Sequence, residues 1–353
     1  MKLLISRADL ARVLTNVGRV VEARNTIPIL SNVLLSASDG KLQVTGTDLD
    51  IVATDSAPAD VTTPGALCVD AKLLSDIAKK AGGDVTLSED KGQLIVTSGR
   101  SRFALGTLPA GDFPTLDGGK FTATFDIDLG ALFAPVAFSI STEETRYYLN
   151  GIFLHVVDGK IVAVATDGHR LSRHIGPSTE DKFVGIIVPR KTVGLIPKGT
   201  VSLSVSESKI RVEAGEFSLT SKLIDGTFPD YPRVIPQNND KLVTVDRDAF
   251  MKAADRVATV SSEKGKAVRL SVAPGSVAFH VSNPDSGSAS DEVEAEYSGE
   301  PIEIGFNSQY ILEIFGVLPS GPVVLALSEP GSPGLLTSVG FEGLTLVLMP
   351  MRI

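Results

Sequence analysis

A chain of 353 residues that is 43% apolar and 21% charged is long enough for several buried cores, which excludes disordered and fibrous classes. Its net charge of −9 argues against holding nucleic acid by bulk positive charge, and the single Cys68 excludes an intrachain disulfide or a cysteine-based zinc cluster. Met1–Ile5 is too short for a signal-peptide core and no run approaches the ~18 apolar residues of a membrane span, so a reducing cytoplasm is the expected location.

The first helix is expected from Asp9, with Leu10, Val13, Leu14 and Val17 at helical spacing. Period-2 alternation then predicts a strand at Lys41–Thr45, after the turn Asp39-Gly40. Asp70 starts a second helix, with Leu73, Leu74 and Ile77 as its apolar positions. Further strands are read at Lys160–Val164 and Lys209–Val212. The helix windows are 6–22, 70–80, 127–138, 189–198, 247–257 and 307–318; Gly130 and Pro135 weaken the third.

These landmarks repeat. Asp9, Asp128 and Asp248, each at a helix start, are 119 and 120 residues apart, and Asp70, Pro189 and Asn307 follow at steps of 119 and 118. Asp39-Gly40, Asp158-Gly159 and Pro274-Gly275 are turns in the same register, and Phe113-Pro114 and Phe228-Pro229 stand 115 apart before polar linkers. The reading is an α+β chain of three similar domains, 1–120, 121–240 and 241–353. Each is built of two half-units that join one helix to antiparallel strands.

No Walker loop, dinucleotide-binding glycine motif, zinc-protease motif or nucleophile elbow is present. Thr166-Asp167-Gly168-His169-Arg170 crowds an acid, an imidazole and a guanidinium, and reads as a binding turn or as a plain surface turn. A phosphate-handling hydrolase built on Asp167, His169 and Arg170, and a scaffold without DNA, are the rival readings. His155 and His280 fall in strands and read as satisfied, partly buried side chains. The six helix windows sum to +4 and the remainder to −13, so a shared helix face would be mildly basic and suited to loose contact with phosphates. No metal or cofactor is expected.

Several segments carry a family resemblance. They are Thr26–Leu30 (Thr-Ile-Pro-Ile-Leu), Thr45–Leu49, Ser98–Phe103, Arg146–Gly151 (Arg-Tyr-Tyr-Leu-Asn-Gly), Ala165–Leu171, Val188–Lys191, Phe228–Tyr231, Ile304–Asn307 and Met349–Arg352 (Met-Pro-Met-Arg). The chain resembles, end to end, the bacterial replicative sliding clamps, the β subunits of DNA polymerase III. The resemblance implies a DNA-clamp fold in which each chain forms half of a closed ring. Two chains would join head to tail around duplex DNA, with no chemical step of their own, and tether polymerase, clamp-loader and repair proteins for processive replication.

It also implies sites. Arg24, Arg146, Tyr147 and Tyr148 match DNA-touching positions, where guanidinium and phenol groups can contact phosphate without reading bases. Where the family's best-known member has Gln, this chain has Glu143, whose carboxylate repels phosphate. Phe103 and Leu105 match the apolar part of the subunit interface, opposite Thr259 and Val260 of the other chain. The acidic flank there retains Asp285, Asp291 and Glu292, diluted by Ser286–Ser288. A partner-peptide pocket is implied at Leu149, Thr166, Gly168, His169, Arg170, Leu171, Pro229, Arg233, Val234, Asn307, Tyr310, Val347, Met349, Pro350, Met351 and Arg352. Flexible methionines suit a groove that accepts several apolar peptides, with Arg170, Arg233 and Asn307 as its polar rim, although Val347 and Leu348 also read as core.

Overall fold

The computed structural model describes residues 1–22, 26–114, 116, 119–261 and 266–352. Its helices are α1 (Arg7–Gly18), α2 (Ala71–Lys80), α3 (Leu129–Phe133), α4 (Arg190–Leu195), α5 (Arg247–Ala258) and α6 (Ser308–Gly316). Four starts are capped by a side chain that accepts from an otherwise orphaned first-turn amide. Ser6 accepts from Asp9 N at 3.0 Å, Asp70 from Leu73 N at 2.7 Å, Asp246 from Ala249 N at 2.8 Å and Asn307 from Gln309 N at 2.9 Å.

Leu10, Val13, Leu14 and Val17 line the buried stripe of α1. On α2, Leu74 and Ile77 are buried but Leu73 is exposed, a correction to the sequence reading. The windows 127–138 and 189–198 also shorten, to five and six residues. Pro135 and Pro197 cannot supply the amide that continues a helix, and Gly130 and Gly194 add backbone entropy inside the short turns. Among the described residues, no helix is long and apolar enough to cross a membrane.

The chain divides into two compact units, Met1–Leu129 with Gly194–Leu223, and Gly130–Val193 with Ile224–Ile353. The first is built on a 13-stranded sheet and the second on a 12-stranded sheet. The strand pairs are antiparallel and mostly joined by short hairpins. At Asp39-Gly40 (φ 48° and 72°) and Asp158-Gly159 (φ 50° and 71°), both central residues take positive φ, which matches the twist of the flanking strands.

In the first unit, Leu10, Val13, Leu14 and Val17 of α1 join Leu74 and Ile77 of α2 over sheet residues such as Val33, Leu42 and Leu87 to form one core. One strand pair there is long-range: Ile51–Pro58 pairs with Phe217–Lys222, Val52 opposite Thr220. The second unit has its counterpart, Arg170–Ser178 against Leu344–Leu348, with Leu171 opposite Val347. A core cluster of Leu149, Leu171, Phe228, Tyr231 and Val347, with others, lies in this second unit.

Candidate functional site

The turn Thr166–Arg170 is shaped by its own side chains. Asp167 Oδ1 accepts from the backbone amides of His169 and Arg170, both at 2.9 Å, and Thr166 Oγ1 accepts from Gly168 N at 3.1 Å. Gly168 sits at φ 88°, a left-handed conformation that costs a residue with a Cβ. His169 is left exposed.

Arg170 departs from expectation. Instead of lining a polar rim, it is 8% exposed. Its Nε donates to Asp167 Oδ2 at 3.1 Å, Nη2 donates to the Phe138 carbonyl at 2.7 Å, and Nη1 donates to Glu313 of α6. The guanidinium carbon lies 5.0 Å from the Phe138 ring centroid and 4.5 Å from that of Tyr310. Tyr310 stacks in turn on His169 at 6.0 Å. Asp167, His169 and Arg170 are thus brought together, but the Asp167 carboxylate is bonded to the Arg170 guanidinium and to the backbone amides of His169 and Arg170, which fixes the shape of the turn.

The C-terminal segment joins the same place. Met349 N donates to the His169 carbonyl and Met351 N to the Gly305 carbonyl, both at 2.8 Å, so this segment is pinned at two points while the Met349 side chain stays exposed. Leu149, Leu171 and Val347 are buried in one cluster and form an apolar floor, so Val347 and Leu348 are core residues of their strand. Pro229, Arg233 and Val234 are exposed beside Phe228, Tyr231 and Ile235 of that cluster, and Arg233 pairs with Asp230 at 2.6 Å. Asn307 spends its carbonyl oxygen capping α6. Pro350 is half-buried and Arg352 exposed.

Of the residues assigned to DNA, Arg24 lies outside the described residues. Arg146, Tyr147 and Tyr148 sit on the 3-10 turn Glu144–Leu149, where Arg146 breaks the helical path with φ −111° and ψ 51°. Tyr147 is exposed and meets Tyr148 edge-on at 5.8 Å. Arg146 Nε and Nη2 both donate to the Glu143 carboxylate, at 2.7 and 2.6 Å, which holds the Glu143 carboxyl below its usual range.

Phe103 and Leu105 separate. Phe103 is 41% exposed, while Leu105 is 7% exposed and belongs to the first unit's core. They sit on the strand Ser101–Pro109, whose first six residues pair with Gln93–Ser98 on one side and, among the described residues, with nothing on the other. In the second unit, Gly287–Glu296 pairs along Ser276–Asn283 but reaches Lys241–Asp246 only through Ala295 and Glu296. Thr259 and Val260 follow α5, exposed and half-buried, and Arg256 of that helix pairs with Asp291 of the strand at 2.6 Å.

The sequence reading missed Phe138 and Glu313, the partners of Arg170, and these two open strand edges. Gln309 and Glu313, bonded at 2.8 Å one turn apart on α6, carried a weak signal for the first. The repeat register carried a stronger one for the second, because Ile51–Pro58, Arg170–Ser178 and Gly287–Glu296 occupy corresponding places.

Known proteins match over the whole chain. The family models for the N-terminal, central and C-terminal domains of the DNA polymerase III beta subunit match residues 1–117, 128–230 and 232–352. The beta sliding clamp of Caulobacter vibrioides is 45% identical and that of Escherichia coli 35% identical, each aligned over 100% of both chains. Among solved structures, a sliding clamp from Bartonella birtlesii bound to griselimycin superposes with a TM-score of 0.96 at 44% identity, covering 100% of each chain. The DNA polymerase III subunit beta of Pseudomonas aeruginosa does so at 0.96 with 38% identity and the same coverage. With three consecutive domain models matched and full-length relatives far above chance similarity, the chain belongs to the DNA polymerase III beta subunit family, the beta sliding clamps.

Proposed function

We propose that two copies of this chain close head to tail into a ring around duplex DNA and tether replication and repair proteins to it, without a chemical step of their own. Three domains per chain, 1–120, 121–240 and 241–353, make the ring sixfold in its repeats. The observation that carries the reading is a pairing rule with one place left over. Ile51–Pro58 pairs with the last strand of the following repeat, Phe217–Lys222, and Arg170–Ser178 does the same with Leu344–Leu348. Among the described residues, no repeat follows Gly287–Glu296 and none precedes Ser101–Pro109.

Each open edge therefore completes the rule with the other on a second chain, a heterologous contact that closes. Charge favours that match: Arg100 and Arg102 precede Phe103, whereas Asp291, Glu292 and Glu294 lie along the other edge. Phe103 supplies the apolar centre, toward Thr259 and Val260.

Arg146, Tyr147 and Tyr148 would touch the duplex backbone, and the C-terminal methionines over the Leu149, Leu171 and Val347 floor would take short apolar peptides. Partners such as polymerase, clamp loader and repair proteins would compete for that one site per chain, in the cytoplasm. The commitment of both Asp167 oxygens within its own turn supports binding over hydrolysis there. Molar mass in solution tests the assembly: a species of twice the chain mass is expected, and a monomer at micromolar concentration in low salt contradicts it.

A further inference from the structure

The turn that presents Arg146 also holds a carboxylate where a phosphate would bind. Glu143 Oε2 accepts from Arg146 Nε at 2.7 Å and Oε1 from Nη2 at 2.6 Å, the two-pronged geometry that a guanidinium otherwise offers to a phosphodiester. Glu143 is held in place from its backbone. Its amide donates to Ser141 Oγ at 3.2 Å, and its carbonyl accepts from Asn150 Nδ2 at 3.2 Å and from Arg146 N at 3.3 Å. Arg146 is confined from the other side by Gly168, where a Cβ would come within 2.5 Å of Nη1. Both partners nevertheless remain open to water, with side-chain exposures of 32% and 52%, so the ion pair is weak enough to be exchanged.

Resting on the reading of Arg146 as a phosphate contact, we propose that Glu143 is a built-in phosphate mimic that occupies the Arg146 fork and must be displaced by the DNA backbone. A phosphate that takes the fork releases a carboxylate beside itself, so the exchange leaves little net neutralisation and little gain from counterion release. The clamp thereby rests lightly on the duplex it encircles. Glu143 acts here as a positioning residue through Arg146.

The test is a titration of the intact dimer with a short linear duplex over a salt series, read by fluorescence anisotropy. Glu143→Gln should tighten binding about fivefold at low salt and steepen the dependence of log K on log salt by about one unit, because it frees one cation for phosphate. Glu144→Gln makes the same charge change on the neighbouring residue of the turn and should give a much smaller gain with no change of slope. In an Arg146→Ala background, Glu143→Gln should give only that smaller gain.

Equal effects of Glu143→Gln and Glu144→Gln, with Arg146→Ala still weakening the Glu143→Gln protein, would overturn the role of Glu143 and leave Arg146 as a DNA contact. A full gain that persists without Arg146 would overturn the reading of Arg146 itself. Thermal unfolding of each variant checks that the turn is intact.

Discussion

Arg170 and Glu313 are bonded across 143 residues of sequence, which fastens the turn Thr166–Arg170 to α6 and sets His169 against Tyr310. Two carboxylates and the Phe138 carbonyl share one guanidinium, and planar Arg suits that arrangement where Lys does not.

Arg170→Ala strands Asp167 and Glu313 without their cation and opens a gap between two rings. Asp167 is nearly buried and Glu313 partly exposed, so a loss of about 2–3 kcal/mol is expected, below that of a fully buried pair. Chemical denaturation should show it, and Arg170→Lys should recover less than half. Peptide binding should fall in both variants, because Met349 hangs from the His169 carbonyl on the same turn.

Phe103 and Leu105 should respond differently to the same change. Phe103→Asp places a charge on an exposed edge and should convert dimers to folded monomers, seen as halved mass with unchanged circular dichroism. Leu105→Asp buries a charge in the first unit's core and should cost about 3 kcal/mol or more, lowering the thermal midpoint before any effect on assembly can be read. A Phe103→Asp protein that stays dimeric at low concentration contradicts the proposed interface.

That contrast marks how far the sequence could be read. The two residues share strand parity, so periodicity assigns them one face. What distinguishes them is how far the core extends along the strand, a tertiary fact. The starts at Asp70 and Asn307 were legible because these side chains cap amides two or three residues away, whereas the starts read at Asp9 and Asp248 are capped three and two residues earlier, by Ser6 and Asp246. The triple repeat was legible from spacing alone. Arg170 was not, since a conspicuous guanidinium on a polar turn looks exposed until Glu313, Phe138 and Tyr310 arrive from distant segments.

His155 gives a pH signature. Its Nε2 lies 3.1 Å from the Tyr231 hydroxyl and its ring stacks on Phe153 at 4.4 Å, and burial pushes its pKa down to about 4. An unfolded histidine titrates near ~6.5, so between the two values the unfolded chain binds more protons and stability rises with pH. The contribution is fully present above about pH 6.5 and is lost as pH falls toward 4, about 1–2 kcal/mol after allowance for solvent screening. Thermal midpoints from pH 7 to pH 5 should fall in the parent and fall less in His155→Phe. Equal slopes would refute the assignment.

Deleting residues 349–353 removes the two backbone bonds from Met349 and Met351 but leaves the strand Leu344–Leu348 paired on both sides. The dimer mass should persist and the thermal midpoint should drop by a few degrees, consistent with about 1 kcal/mol per lost hydrogen bond. A short apolar partner peptide should no longer bind. Native affinity in the truncated dimer would contradict the placement of the peptide site.

Topology provides the most direct measurement of the whole account. The helices carry a slight positive balance within a chain of net charge −9, so equilibrium grip on phosphates should be weak while a closed ring holds by linkage alone. Protein loaded on nicked circular duplex should remain bound through a high-salt wash and leave once the circle is cut. Equal retention on circular and linear duplex after that wash would contradict encirclement.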